Sequence, residues 1–420
     1  MKTLNELSDK LNKYKFYERF FIVFLLGALA LWIFEIFSFG GQSDQIDLFY
    51  GRLTDFLADT TNVVGYSAER NVYECTYYTG LGEKAYPPLT YMGMYFFSRL
   101  VNMNPYFEQN SFLDMYKEPL FLFFLILTMI FWMILFYELI RSVKSGSTIT
   151  KLLFCACILF SYPMIYSLER ANTIIPTAFF ITLYIMYYDS DHKVMKELAL
   201  ISLAFAVAFK MTPAVLGILL LYKKDWKSAL RAILYGIIIG IGPFFFFEGG
   251  LSNLFKMFRN MQYNLELYPS TDGCTILSSM LTFKIPYSET LETICTLSTY
   301  AVCALFLICT PLLKKKWQQV LAITLVLLIL PSHSGTYCII YLIPACLLFM
   351  NEEKHKLTEL LILFGYILVF YTYQDDLRST YLSYNMSIMI FVIFIAVQCI
   401  FVLVNTIKRI PQKIKKEGSK

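Results

Sequence analysis

Long apolar runs divided by short polar and basic segments set the pattern of this chain, and Phe20 to Phe37, Pro119 to Ile140 and Asn385 to Val404 are three of them. Each has about the length at which a helix crosses roughly 30 Å of hydrocarbon. Because lipid offers backbone groups no partner, such runs predict helices. The first run follows a long basic start, lacks a small-residue cleavage site and exceeds a signal-peptide core, so it reads as a retained span. With the N-terminus in the cytoplasm, Lys2, Lys10, Lys13, Lys15 and Arg19 lie inside, as the bias of Lys and Arg toward cytoplasmic loops requires. Crossings near 20–37, 119–140, 152–168 and 171–188 then return Lys193 and Lys196 to that side. A single span from Leu198 to Leu221 would put Lys223, Lys224 and Lys227 outside and leave Lys210 in mid-membrane. Two half-helices turning at Lys210, Met211, Thr212 and Pro213 avoid the misplaced lysines, and such breaks are tolerated where protein or water surrounds them. Further crossings near 229–247, 293–313, 317–331, 336–350, 357–373 and 384–405 leave both termini in the cytoplasm.

The expected fold is all-α: a polytopic integral membrane protein, one domain over 1–420, with about ten full crossings and a broken or re-entrant helix pair. Its large outer loops are predicted at 38–118 and 248–292, where chemistry or binding concentrates. Trp226 and Trp317, each beside a lysine cluster, are expected at the membrane interface.

Composition agrees with lipid as the solvent: 57% of residues are apolar and only 16% charged, against about a quarter charged in soluble domains. The net charge of +5 is explained by the orienting basic loops, so nucleic acid is not an expected partner. Without a glycine-rich phosphate loop or an internal repeat, a nucleotide-driven pump is disfavoured, and the energy must come from elsewhere. The ten cysteines show no metal-type spacing, and Cys155, Cys157, Cys303, Cys309 and Cys346 sit in apolar runs as small core residues. Cys75 and Cys274 fall in the outer loops, where a bond between them is an expectation. Neither a cofactor nor a metal site is indicated.

Five constellations could carry chemistry. Asp44 and Asp47 follow the first span closely and, on a helix, would share a face, one acting as base while its neighbour raises its pKa; an ordinary polar loop is the bland alternative. Ala85-Tyr86-Pro87-Pro88-Leu89 precedes a short apolar stretch from Thr90 to Val101, which predicts an interfacial or re-entrant helix with prolines at its start. Leu168-Glu169-Arg170-Ala171-Asn172 places a charged pair at the outer membrane edge, where Arg170 either binds a phosphate or is neutralised by Glu169. Lys210 is an ionisable residue in an apolar stretch, poised for function or for holding the broken helix together. Pro331-Ser332-His333-Ser334-Gly335-Thr336-Tyr337 is an outer turn whose His333 could meet a phosphate oxygen or move a proton.

In this order the features resemble the bacterial polyprenyl-phosphomannose-dependent mannosyltransferases of the GT-C superfamily of integral membrane glycosyltransferases. Asp47 with Tyr50, Tyr86 to Leu89, Arg170 to Asn172 and Lys210 to Pro213 occupy the places of that family's Asp-aromatic, Tyr-Pro-Pro-Leu, Arg-Gly-Asn and Lys-x-x-Pro segments. Two departures stand out: Ala171 replaces the glycine, and the histidine- and tryptophan-bearing segment is reduced to residues Pro331 to Tyr337. The resemblance implies a hexosyltransferase of the bacterial cytoplasmic membrane. It would take a polyprenyl-phosphate sugar as donor and pass the hexose, mannose by analogy, to a glycan or glycolipid acceptor on the extracytoplasmic face. It implies Asp47 as the base, with Asp44 as the alternative, and Arg170, His333, Arg259, Arg378 and Lys210 as candidates for the leaving phosphate. A lipid-linked sugar flippase or transporter is the rival from another class, and a polysaccharide polymerase or ligase the rival among enzymes.

Overall fold

The computed structural model describes residues 2–38, 56–69, 71–74, 83–109, 111–267, 273–331, 335–372 and 377–417. Every regular element among them is helical. Five helical segments are long and apolar enough to cross a membrane: Phe16–Ser38, Pro119–Val143, Trp226–Phe246, Glu289–Leu312 and Tyr381–Lys408. The pair Thr148–Leu159 and Tyr162–Glu169, bent by 53°, makes a sixth if it is taken as one span. The other apolar segments, among them Ile174–Tyr187, Lys316–Ile329 and Leu357–Phe370, are shorter helices. At 1.5 Å per residue these fall short of roughly 30 Å of hydrocarbon, so the structure does not reproduce the expected ten as ten full-length helices.

The short helices lie inside the bundle. Lys316–Ile329 is buried along nearly its whole length, with Trp317, Val320, Leu321, Ile323, Leu325 and Leu328 among its inaccessible side chains. Surrounded by protein, such a helix can begin and end irregularly, because neighbours satisfy the freed backbone groups. Pro119–Val143 is the opposite case: Phe123, Leu127, Ile130, Phe131 and Ile134 face outward, an apolar surface that lipid covers. Cys155, Cys157, Cys303, Cys309 and Cys346 are buried, as expected of core cysteines. Cys274 is a thiol buried in the same core, and Cys75, the partner expected for it, lies outside the described residues.

The bundle has two distinct ends. At one, loops are tied together by lysines: Lys196 to Asp225 at 2.6 Å, Lys316 to Asp189 at 2.7 Å, Lys315 to Glu359 at 2.9 Å, and Lys144 to Glu18. The N-terminal helix Lys2–Lys13 docks there, where Ser8 and Asn12 donate to the carbonyl of His355 at 2.9 and 2.8 Å. Lys193–Phe209 leaves this end, the chain breaks at Lys210, and the segment Thr212–Tyr222 brings it back to Lys223 and Lys224. The two half-helices expected from the lysine pattern are therefore present, with Tyr184 donating to the Leu216 carbonyl between them and their neighbour. Trp226 is exposed beside Lys227. Trp317 is not an interface marker: it is buried edge-on against Phe349 at 5.0 Å, because its helix occupies the bundle centre.

Asp225 locks the return of the half-helices. Hydrogen bonds from Lys196 first, and from Ser228 next, hold its carboxyl down from the ordinary 3.8 to about 2. A carboxyl depressed in this way adds stability that is fully present above about pH 4 and is lost as pH falls through about 2. For a partly exposed pair that contribution is about 1 kcal/mol. Asp225→Asn should lower the melting temperature in detergent at pH 7, and the wild-type and variant curves should converge between pH 4 and 2. Curves that stay apart to pH 2 would show that the carboxylate charge is not what locks the turn.

Candidate functional site

At the end opposite the paired lysines, four of the sequence segments meet. The helix Tyr162–Glu169 stops in a turn in which the Asn172 amide donates to the Ser167 carbonyl at 3.1 Å and the Ala171 amide to the Leu168 carbonyl at 2.9 Å. This is a Schellman termination, which needs its C′ residue in the left-handed region, and Ala171 has φ +48°. The absent glycine of the Arg-Gly-Asn segment thus falls where glycine carries no steric cost.

A short helix, Ala58–Ser67, clasps that turn. The Leu57 amide donates to the Glu169 carbonyl at 3.0 Å, and Thr60 Oγ1 donates to the Ala171 carbonyl. Asp59, in the first helical turn where a negative charge is favoured, accepts from Arg170 Nε at 3.0 Å and Nη2 at 2.8 Å and from the Asn172 side-chain amide. Asn172 Oδ1 in turn accepts from the Ile174 amide at 2.8 Å, which starts the next helix. Gly65 permits this placement, since a Cβ there would sit 2.3 Å from the buried ring of Phe112.

Lys210 arrives from the other direction. It is the first residue past Lys193–Phe209, and the carbonyl of Phe209 accepts from Thr90 Oγ1 at 3.2 Å, joining the break to the helix Pro88–Ser98. The helix expected here with prolines at its start is that helix. The Lys210 ammonium lies 4.6 Å from the ring centre of Tyr86 and 5.7 Å from that of Tyr337. Among the described residues it has no carboxylate partner. Tyr337 and Cys338 also lie within electrostatic reach of Asp59, and Tyr337 within that of Arg170, so the fork and the lysine belong to one site.

Of the site residues expected from sequence, Arg170 and Lys210 come together here. Lys210 lies away from the lysine-rich end, because the helix it terminates starts there. Asp44, Asp47 and His333 lie outside the described residues, as does the side chain of Arg378. Arg259 is exposed on the helix Ser252–Leu267. The counter-charge on Arg170 is Asp59, where Glu169 was the neighbour expected to supply it. Sequence reasoning missed Asp59 because it lies 111 residues from Arg170, in a segment without a motif. The one available signal was that an arginine at the membrane edge needs an acid from somewhere.

An apolar groove of about 540 Å³ opens beside the cluster. Phe56, Leu57, Leu168 and Glu169 form its upper end, and Leu125, Met129, Met133 and Tyr137 carry it along Pro119–Val143.

The strained turn supplies a direct test. An alanine at positive φ costs roughly 1 kcal/mol relative to glycine, so Ala171→Gly should raise the melting temperature in detergent and Ala171→Val should lower it sharply. Equal stability of the three would show that the turn relaxes. Compared with known families, residues 85–331 match the model described as glycosyltransferase family 87, a stretch that begins at the Tyr-Pro-Pro segment and includes both Arg170 and Lys210. No curated protein matches the chain. With more than half its length in that match, and with a helical bundle built for a membrane, this chain belongs to glycosyltransferase family 87, membrane enzymes of the GT-C type.

Proposed function

We propose that this glycosyltransferase takes a hexose, mannose by resemblance, from a polyprenyl-phosphate donor and transfers it to a glycan or glycolipid acceptor on the extracytoplasmic face of a bacterial cytoplasmic membrane. The observation that carries this reading is the pairing of two cations, Arg170 and Lys210, at the end of the bundle away from the lysine-rich loops. Positive charge collects on the cytoplasmic side, so both termini and the lysine-rich end are assigned there and the site to the outer face.

The chemistry needs a base and stabilisation of a leaving phosphate. The acceptor hydroxyl loses its proton to a carboxylate, its oxygen bonds to the anomeric carbon, and the bond from that carbon to the phosphate oxygen breaks with its electron pair going to phosphate. Asp47 is the proposed base and Asp44 its alternative, with His333 and Arg378 as further phosphate contacts. Asp59 already accepts from a guanidinium and a side-chain amide, so its role is to position Arg170. Lys210, held between two aromatic faces, is the cation most open to a phosphate. Thr173 Oγ1, next to Asn172, is buried without a hydrogen-bond partner among the described residues, a group that a sugar or phosphate oxygen would satisfy. The groove ending at Leu57 and Glu169 suits the prenyl chain, whose isoprene units need apolar walls reaching into the membrane.

Release of polyprenyl phosphate from donor in detergent, with a membrane lipid extract as acceptor, tests the reading. Wild type should turn over, and Lys210→Ala and Arg170→Ala should each lose roughly 10²-fold or more in kcat. Asp47→Asn should bind donor yet be inert; loss confined to Asp44→Asn would move the base by three residues. Asp59→Asn should lower turnover with Asp59→Glu partly restoring it. If wild type moves a lipid-linked sugar across vesicles without consuming donor, the flippase reading replaces this one. Separately, Met129→Trp should raise KM for long-chain donors and leave short-chain donors unaffected, whereas equal effects on both would remove the prenyl chain from the groove.

A further inference from the structure

The span Trp226–Phe246 ends at the site end in two outward-facing phenylalanines, Phe245 and Phe246. Gly249 and Gly250 follow with φ of +94° and +52°, a turn that side-chain-bearing residues resist, and the helix Ser252–Leu267 starts immediately after it.

That helix has two unlike faces. Asn253, Met257 and Asn260 are buried: the Asn253 amide donates to the Glu248 carbonyl at 2.9 Å, and the Asn260 amide donates to the carbonyls of Tyr73 at 3.1 Å and Lys84 at 3.2 Å. Lys256 reaches inward to Glu74. On the other side Phe255, 76% exposed, and Phe258 share a stripe with Leu251, flanked by exposed Arg259 and Tyr263. Aromatic side chains so open to water would be a liability, and an apolar stripe edged by a cation and a tyrosine matches a helix lying in the plane of a bilayer.

We infer that Ser252–Leu267 lies in the outer membrane surface, with Leu251, Phe255 and Phe258 among the acyl chains and Arg259 at the lipid phosphates. The occupant is lipid because the stripe continues the outward face of a membrane span, separated from it only by the two-glycine turn. A basic residue at its edge complements anionic headgroups. The consequence reaches the site: Asn260 holds the backbone at Tyr73 and Lys84, and Tyr73 donates to the Tyr86 carbonyl at 3.1 Å, so the lipid surface fixes the height of the ring that faces Lys210.

The test needs no activity. Phe255→Trp and Phe258→Trp, each read as emission added to that of the four native tryptophans, are compared in lipid nanodiscs with bromine-carrying phospholipid and with aqueous acrylamide as quenchers. The bromolipid should remove at least about half of the added emission while acrylamide removes little. Arg259→Glu in the Phe255→Trp background should weaken the bromolipid quenching in discs containing anionic lipid. Quenching by acrylamide but not by bromolipid would overturn the inference by placing the stripe in water. Shielding from both, together with a doubled particle mass, would overturn it in favour of a second copy of the chain.

Discussion

A backbone group without a partner costs several kcal/mol in hydrocarbon, and that constraint decides where this chain can depart from helix. Its departures at one end are each repaired by a side chain or backbone group from elsewhere in the sequence. The Phe209 carbonyl, freed at the Lys210 break, takes Thr90; the Phe160 carbonyl, freed at the bend, takes Thr372 at 2.8 Å. The Glu169 and Ala171 carbonyls take the Leu57 amide and Thr60. The same groups that make these breaks tolerable bring Tyr86, Arg170 and Lys210 together, so the site is a by-product of satisfying the backbone. Thr60 and Thr90 are therefore as much a part of its construction as the charged residues.

Lys210 is handled differently from the other cations that hold the fold together. At the lysine-rich end, Lys144, Lys196, Lys315 and Lys316 all meet carboxylates, which neutralises them and fixes loop geometry. At the other, Arg170 is committed to Asp59 through two nitrogens while Lys210 meets only aromatic faces among the described residues. A cation over a ring keeps most of its attraction for an incoming anion, because the quadrupole of the ring does not cancel its charge. An ammonium already paired with a carboxylate would have to exchange one anion for another. This asymmetry leaves Lys210 open to an anion where the paired lysines are already neutralised.

Much of this was legible in the sequence, and the limits have physical causes. Lysine placement gave the half-helices around Lys210, because misplacing three lysines across a membrane is expensive enough to leave a trace in the pattern. The proline-led helix at Pro88 was legible from the prolines themselves. The count of full crossings was not, because buried helices such as Lys316–Ile329 are shielded by protein and have no hydrocarbon thickness to match. Trp317 was misread for the same reason: an indole beside lysines marks an interface only when its helix meets lipid. Asp59 carries no periodic or motif signal, since the partner that gives it meaning is fixed only by tertiary structure.

Ala171 ties these strands together. A Schellman turn places the residue after the helix cap at positive φ and sends the next residue back across the helix end. That reversal aims Arg170 and Asn172 at one acid, which residues two apart on a continuing helix, about 200° apart around its axis, could not share so directly. The helix must therefore stop where it does for Asp59 to grip both. Alanine, the smallest side chain after glycine, keeps the turn with limited strain, whereas a β-branched residue would favour extending the chain. The departure from Arg-Gly-Asn is thus a change in strain with the turn retained, and it leaves Arg170 aimed at Asp59.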